Sequence, residues 1–97
     1  MLESEYQKKL IDKLRVLYPG CLILKNDPEY LPGIPDLSIF YGARWAMLEV
    51  KASAKSKYRP NQEYYLELAN GMSFASVIYP SIEEDVLSAL SAAFQGV

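Results

Sequence analysis

Residues 33–51 decide the fold of this chain, and they read GIPDLSIFYGARWAMLEVK. Two β-prone runs, residues 36–41 and 44–51, flank Gly42-Ala43, where glycine at the first central position fits a type II′ turn. The sequence therefore predicts a β-hairpin with a two-residue loop. That loop sets the register, and the opposed pairs it predicts are Phe40–Trp45, Ile39–Ala46, Leu37–Leu48 and Asp36–Glu49.

Alternation of side chains along the hairpin separates two faces. The apolar face carries Leu37, Ile39, Ala46, Leu48 and Val50. The other face carries Asp36, Ser38, Met47, Glu49 and Lys51, with Phe40 and Trp45 at its far end. Opposed carboxylates on neighbouring strands repel each other unless a cation lies between them. Two carboxylates with open water positions commonly hold Mg²⁺, so the polar face predicts a divalent-cation site with a lysine beside it.

The same three residues also have an ordinary structural interpretation. Asp36 could simply end a loop, and Lys51 could form a cross-strand ion pair with a carboxylate. The spacing alone arises by chance in roughly a few per cent of chains of this length. Context favours a site, because the hairpin follows a loop, residues 26–35, that contains three prolines and one glycine. A loop so rich in proline within a small domain is expected to help shape a site.

Basic residues are concentrated directly after the hairpin. The chain has a net charge of −2, which argues against a protein that coats nucleic acid nonspecifically. Four of its ten basic residues nevertheless fall within nine positions, and these are Lys51, Lys55, Lys57 and Arg59. The segment is either a phosphate-contacting surface or a solvated loop. Tyr58, within it, could stack on a base or pack against the protein.

The composition limits the possible chemistry. The 97 residues, 51% of them hydrophobic, predict one globular domain over residues 1–97. The absence of histidine excludes Ser-His and Cys-His catalysis and imidazole-bound zinc. The single cysteine, Cys21, excludes an intrachain disulfide and is expected to be an inert buried thiol. Any catalysis must use carboxylates, lysine, tyrosine or an oxygen-ligated metal.

The composition also bears on location and assembly. Neither a signal sequence nor a stretch approaching the ~20 apolar residues of a membrane span is present. We therefore expect no membrane partner. We expect the protein to lie in the cytoplasm of a bacterial cell and to be encoded by that cell or by a phage. Eight Tyr, three Phe and one Trp exceed what so small a core readily buries. Some aromatic surface should thus lie at a site or a subunit contact, and we expect a homodimer.

The remaining elements follow from hydrophobic periodicity and from the capping, proline and glycine residues that begin or end each segment. We predict three helices: one over residues 4–18, one from Pro60 to Asn70-Gly71, and one that starts at a Ser81–Glu84 capping box. We also predict a buried strand at residues 21–24 and a further strand at residues 74–79. Ser4 and Gln7 predict a capping box on the first helix. The last strand should run parallel to residues 44–51, because a helix connects them. The order α-β-β-β-α-β-α predicts an α/β fold with a mixed central sheet flanked by helices.

The chain resembles a known family in four places. It is similar to the virus-type replication-repair nucleases (VRR-NUC) of the PD-(D/E)XK superfamily. The similar residues are Gly33-Ile34-Pro35-Asp36-Leu37, Glu49-Val50-Lys51, Gln62 at the start of a helix, and Gly71 before a strand. The resemblance implies the restriction-endonuclease-like core and a Mg²⁺- or Mn²⁺-dependent DNA phosphodiesterase. It implies that Asp36, Glu49 and the backbone carbonyl of Val50 bind metal. Lys51 would be the catalytic lysine, and Gln62 would act beside it.

Two positions fit the resemblance less simply. Glu5 matches an acidic residue that some members direct toward the metal, although an acidic side chain in a helix's first turn is favourable without any metal. Arg59 stands where the family usually has Ser or Thr, which favours a phosphate contact at this position instead.

The resemblance also implies a substrate. Stand-alone domains of this kind resemble Holliday-junction resolvases, which cut two strands with the two sites of a dimer. We therefore expect a homodimeric DNA endonuclease that is selective for branched DNA. The alternative is a non-catalytic module that keeps the fold and binds nucleic acid or protein.

Overall fold

A four-stranded mixed sheet organises the chain, and the computed structural model describes residues 1–95. The elements are α1 (Glu3–Leu17), β1 (Leu22–Lys25), β2 (Leu37–Tyr41), β3 (Arg44–Val50), α2 (Gln62–Met72), β4 (Phe74–Ile78), a 3₁₀ turn (Pro80–Ile82) and α3 (Glu83–Phe94). The strands lie in the order β1-β2-β3-β4. The pairs β1–β2 and β2–β3 are antiparallel, and β4 is parallel to β3. The predicted element order and the parallel last strand are confirmed.

The β2–β3 hairpin has the predicted register. Gly42 has φ of 60° at the first loop position, a conformation that glycine adopts without steric cost. The observed partners include Phe40–Trp45, Ile39–Ala46 and Leu37–Leu48. Both strands are one residue shorter than predicted, so Asp36 and Lys51 lie just beyond the strand ends. Backbone hydrogen bonds still reach both residues: the Asn26 N–H donates to the Asp36 carbonyl at 2.8 Å, and the Lys51 N–H donates to the Ile78 carbonyl at 2.9 Å.

The core lies on the apolar face of the sheet, under α1 and α3. All five hairpin residues predicted to face the core have no exposed surface: Leu37, Ile39, Ala46, Leu48 and Val50. The helices contribute Tyr6, Leu10, Leu14, Val86, Leu90 and Phe94 to the same cluster. Complete burial of each large apolar side chain contributes about 1.5–3 kcal/mol. The opposite face of β3 and β4 is covered by α2, which leaves the sheet flanked by helices as predicted.

The prediction of a buried first strand is wrong. β1 forms an edge of the sheet, and its Leu22 and Leu24 side chains are 57% and 45% exposed. Both project from the face that α2 covers only at β3 and β4, so these two side chains lie on an open surface, whereas Ile23 between them packs against the core. Cys21, just before β1, is half-buried and not fully buried.

Both predicted capping boxes are also wrong. α1 begins at Glu3 with Leu2 as its N-cap, because the Tyr6 N–H bonds the Leu2 carbonyl and adds a residue ahead of Ser4. α3 is preceded by the 3₁₀ turn that contains Ser81, and its N-cap is Ile82. Neither N-cap makes a side-chain capping bond.

The bounds of α2 differ from the prediction at both ends. The helix begins at Gln62, two residues after Pro60, because Asn61 takes a left-handed conformation with φ of 71°. It continues through Asn70-Gly71 to Met72. The Asn70 side chain accepts a hydrogen bond from the Ala75 N–H, so it joins the helix to β4 and does not end it. Within the described part of the chain, every helix is too short or too polar to cross a lipid bilayer.

Candidate functional site

A polar cleft of about 330 Å³ opens where β2 begins and β3 ends. It is lined by Glu3, Asp36, Glu49, Lys51, Ser56, Lys57, Arg59 and Gln62. These residues come from the start of α1, the hairpin, the segment after β3 and the start of α2. The cleft thus gathers side chains from four parts of the sequence, and it contains the whole predicted Asp36–Glu49–Lys51 set.

Asp36 and Glu49 are each anchored by the other's strand. The Asp36 carboxylate accepts a hydrogen bond from the Val50 N–H at 2.8 Å through Oδ2. The Glu49 carboxylate accepts one from the Asp36 N–H at 3.2 Å through Oε1. The hairpin register continues to Leu37–Leu48, one pair before these residues. The two carboxylates therefore lie close together one position beyond the paired register, and backbone amides fix their geometry.

Gln62 connects Glu49 to Lys51. Its Nε2 donates to Glu49 Oε2 at 2.8 Å, and its Oε1 accepts from Lys51 Nζ at 2.9 Å. The same Oε1 accepts from the Arg59 N–H at 2.6 Å. Gln62 is itself buried, with 6% of its surface exposed. Its carboxamide can bridge a carboxylate and an ammonium because it carries both a donor and an acceptor.

Lys51 is held on several sides. Its ammonium donates to Gln62 Oε1 and to the Lys57 carbonyl, at 3.1 Å, and lies 3.3 Å from Glu49 Oε2. The Tyr58 ring lies over the ammonium, with 5.2 Å from Nζ to the ring centroid, which is within cation–π range. Tyr58 therefore packs on the site lysine with one side and is 41% exposed. The structural interpretation predicted an ion pair across the hairpin, but the observed pair joins Lys51 to Glu49, two residues before it along the chain, and both of its side chains are buried.

The two carboxylates have perturbed acidities. Burial, and then the neighbouring Asp36 charge, raise the pKa of Glu49 to about 7, and the Lys51 ammonium opposes this only in part. Burial also raises the pKa of Asp36, against the opposing effects of the Val50 hydrogen bond and of Lys51. Both shifts mean that the cleft disfavours a second negative charge. A cation bound between the carboxylates would relieve this cost.

The donor set fits a hard divalent cation that keeps most of its water. Among residues 1–95, no group of three or more His, Cys, Asp or Glu side chains is arranged to hold a metal. The protein ligands would be Asp36, Glu49 and a backbone oxygen. In a strand the N–H and C=O of one residue point to the same side, so the Val50 carbonyl emerges on the side of Asp36. One or two carboxylates with water is the usual protein environment of Mg²⁺.

Some predicted site residues lie outside the cleft. Glu5 is exposed and does not line it, whereas Glu3 does. Because α1 begins at Glu3 and its buried face is set by Tyr6 and Leu10, helical periodicity turns Glu3 toward the cleft and Glu5 away. Lys55 is also exposed and outside the lining, while Lys57 and Arg59 belong to it. The periodicity of α1 was the signal that could have identified Glu3.

Asn26 and Ser38 support Asp36, although neither is a predicted site residue. Asn26 Nδ2 donates to the Pro35 carbonyl at 2.8 Å and to Ser38 Oγ at 2.9 Å. The Asn26 N–H donates to the Asp36 carbonyl at 2.8 Å. These bonds fasten the end of the proline-rich loop to the sheet. Ser38 could have been identified from its place on the polar face, but no local pattern marks Asn26.

Gly33 allows the proline-rich loop to touch the start of α2. A Cβ atom built on Gly33 would lie 2.6 Å from the Asn61 Cβ and 2.9 Å from the Pro60 carbonyl oxygen. Gly33 also has φ of +93°, a region that favours glycine. Asn61 immediately precedes Gln62, so this contact sets how closely α2 approaches the loop that carries Asp36.

A larger groove of about 520 Å³ lies between α1 and α3, away from the cleft. Its charged residues include Lys13 and Glu83, which form a salt bridge, and Tyr6 donates to the same Glu83 carboxylate at 2.9 Å. These groups satisfy one another and join the two helices. The polar cleft, although smaller, contains the coupled carboxylates and the buried lysine.

No family model matches the chain, and a search of curated proteins found no significant match.

Proposed function

We propose that this chain is a Mg²⁺- or Mn²⁺-dependent DNA endonuclease with a VRR-NUC-like, PD-(D/E)XK core. One observation carries the proposal: the half-buried Asp36 and the buried Glu49 share a cleft with a lysine whose position is set by Gln62. A divalent cation between the two carboxylates would relieve the repulsion between them. The α/β order and the mixed sheet are compatible with this core.

In the proposed reaction, Asp36, Glu49 and the Val50 carbonyl would hold the metal, which when bound would supply Lewis-acid chemistry and a water of lowered pKa. Lys51 Nζ provides fixed positive charge beside Glu49, where it stabilises charge that develops on the phosphate during attack by water. Its hydrogen bond to the Lys57 carbonyl is the one that a phosphate oxygen would replace most readily, since Lys57 lies on an exposed segment. Arg59 lines the cleft and binds the scissile phosphate or its neighbour.

The proposed substrate is branched DNA, cut by a homodimer. The support is the exposed apolar surface on the sheet and on α2, which includes Leu22, Leu24, Phe40, Leu68 and Met72. Apolar side chains grouped on an open face are typical of a subunit contact. A dimer would present two clefts to one junction.

A non-catalytic binding module is the second candidate. It is favoured by the Lys51 ammonium, which already has two hydrogen bonds and an ion pair without any ligand. In such a module the cluster would be a structural network, and the basic segment would bind an anionic partner.

Incubation with labelled duplex, flap and four-way-junction DNA in Mg²⁺ or Mn²⁺ separates the two candidates. We expect metal-dependent cleavage that is fastest on the junction, and none from Glu49→Ala. Glu67→Ala, an exposed change on α2 outside the cleft, should cleave like the wild type. DNA binding without cleavage in either metal would support the binding module.

A further inference from the structure

A second charged concavity lies between α1 and β1, beside the start of the helix whose first residue lines the cleft. This groove, of about 390 Å³, is lined by Ser4, Lys8, Ile11, Asp12, Arg15 and Lys25. Three basic residues and one acidic residue give its lining a formal charge of +2. Within residues 1–95, neither of the two salt bridges involves Lys8, Arg15 or Lys25. The groove is therefore a net-positive surface on a chain of net charge −2.

The cleft cannot supply this charge itself. Its lining contains three acidic side chains and three basic ones, so its formal charge is zero before any cation binds. Binding of a nucleic-acid backbone depends on lysine and arginine that replace the counterions of successive phosphates. If the cleft holds a scissile phosphate, cations for the flanking phosphates must come from the neighbouring surface.

The groove and the cleft are adjacent at two places. Glu3 lines the cleft and Ser4 lines the groove, so the two surfaces meet at the start of α1. Lys25 lines the groove, and the next residue, Asn26, binds the Asp36 carbonyl through its N–H. From Lys8 to Arg15 is about 10.5 Å along the helix, the axial span of about three phosphates of one strand.

We propose that this groove binds the sugar-phosphate backbone of the substrate beyond the scissile phosphate, through Lys8, Arg15 and Lys25; this rests on the proposed DNA-cleaving function. The strand runs from the cleft past the start of α1 into the groove. An acidic protein segment would also match the charge, but continuity with the cleft favours the nucleic acid.

The test compares Lys8→Glu and Lys25→Glu with Lys9→Glu. Lys9 is exposed on α1, one residue from Lys8, and does not line the groove, so all three variants have the same net charge. Binding of the full chain to labelled junction and duplex DNA is measured by fluorescence anisotropy in Ca²⁺ at several salt concentrations. Melting temperatures are recorded for each variant, and Lys8→Gln and Lys25→Gln replace any variant that unfolds.

Each groove variant should bind DNA about tenfold more weakly than the wild type, with the log-affinity-against-log-salt slope reduced by about one. The loss in cleavage should appear mainly as a raised KM, with kcat changed less, since the groove residues do not touch the scissile phosphate. Lys9→Glu should change neither affinity nor slope by more than about twofold.

Equal losses in Lys8→Glu and Lys9→Glu would overturn the proposal, because net charge alone would then explain them. Binding of poly-glutamate, a model of an acidic protein segment, is measured in the same way. If the groove variants bind poly-glutamate more weakly but bind DNA like the wild type, the proposal is overturned in favour of an acidic protein partner. If the wild type binds and cuts DNA and the groove variants bind it equally well, only the proposed role of the groove is contradicted. A wild type that binds no DNA contradicts the proposed function as well.

Discussion

The Asp36 carboxylate accepts a hydrogen bond from the Val50 N–H at 2.8 Å, while the Asp36 N–H donates to the carboxylate of Glu49 at 3.2 Å. Asp36 thus contacts both the residue opposite it and the next residue on β3. This arrangement holds two carboxylates together although burial disfavours both charges and the Asp36 charge repels that of Glu49. It lets the roles of the Asp36 charge and of its hydrogen bond be separated by mutation.

Asp36→Asn keeps an oxygen that can accept the Val50 N–H but removes the charge. We therefore expect the metal-free variant to be as stable as the wild type or slightly more stable. Asp36→Ala leaves the Val50 amide without this acceptor and should destabilise the fold by about 1–3 kcal/mol. Urea denaturation in EDTA measures both, and similar losses for the two variants would show that the negative charge itself is structural.

Divalent metal should raise the melting temperature, because a ligand that binds only the folded state stabilises it by mass action. We expect this rise with millimolar Mg²⁺, Mn²⁺ or Ca²⁺, and neither Asp36 variant should show it. The control is Asp27→Asn, an exposed carboxylate in the proline-rich loop that does not line the cleft. A wild type that does not respond to any of these metals would favour the binding module.

The raised pKa of Glu49 predicts that the metal-free protein loses stability as pH rises. Protonated Glu49 carries no buried charge, so its contribution is complete below the usual value of 4.5 and is lost as pH rises through about 7. The difference is roughly 3 kcal/mol between pH 4.5 and 8, at about 1.4 kcal/mol per pKa unit. Melting in EDTA across this range should show the decline in the wild type and a smaller one in Glu49→Gln. An identical decline in Glu49→Gln would assign it to other groups.

Lys51→Ala should lose cleavage by at least about 100-fold while the metal-induced rise in melting temperature remains. The variant should also be less stable by about 3 kcal/mol at neutral pH, because it leaves Glu49 buried without its ion-pair partner. Cleavage is therefore assayed well below its melting temperature. Retained turnover would remove the lysine from the proposed mechanism.

Gln62 should act through Lys51 and Glu49, since it bonds both. We expect Gln62→Ala and Lys51→Ala to be non-additive in cleavage rate, with a coupling energy of about 0.5–3 kcal/mol in a double-mutant cycle. Lys51→Ala with Glu67→Ala is the matched additive pair, because Glu67 is exposed outside the cleft. Additive effects of Gln62→Ala and Lys51→Ala would mean that Gln62 contributes independently.

Gly33→Ala should cost more stability than alanine at the other left-handed glycines. Gly20 and Gly42 also have positive φ, but a Cβ there would meet no atom within 4 Å. Those two substitutions carry only the conformational cost of about 1–2 kcal/mol. Gly33→Ala adds the collision with Asn61 and should exceed them by about 1–3 kcal/mol in urea denaturation.

Asn61→Gly in the Gly33→Ala background removes the nearest contact, at 2.6 Å, and should recover part of this loss. Asn61 already has φ of 71°, so glycine fits its conformation. If Gly33→Ala behaves like Gly42→Ala, the close approach of the loop to α2 does not constrain the fold.

Local patterns were sufficient for the hairpin. A two-residue loop with glycine first allows one register, and the alternation of Leu37, Ile39, Leu48 and Val50 allows only one face to be buried. A shift by one residue would expose every one of these side chains. The opposition of Asp36 and Glu49 followed from that register alone.

Other features depended on contacts between residues far apart in the sequence. The exposure of β1 depends on which strand ends the sheet and on where α2 lies, and an apolar run looks the same on either surface. Glu3, and not Glu5, lies at the cleft because the packing of Tyr6, Leu10 and Leu14 on the sheet fixes how α1 is rotated, and Glu3 lies on the side that this packing turns toward the cleft.

The sequence by itself determined the register, the core face and the pair of carboxylates with its lysine, because these depend on alternation within one hairpin. Only the tertiary structure decided what holds them: Gln62 from α2, Asn26 after β1 and the contact of Gly33 with Asn61. These interactions join segments separated by the proline-rich loop or by the turn before α2. Their geometry is set by how the helix and loop dock on the sheet, which is a property of packing and not of local sequence.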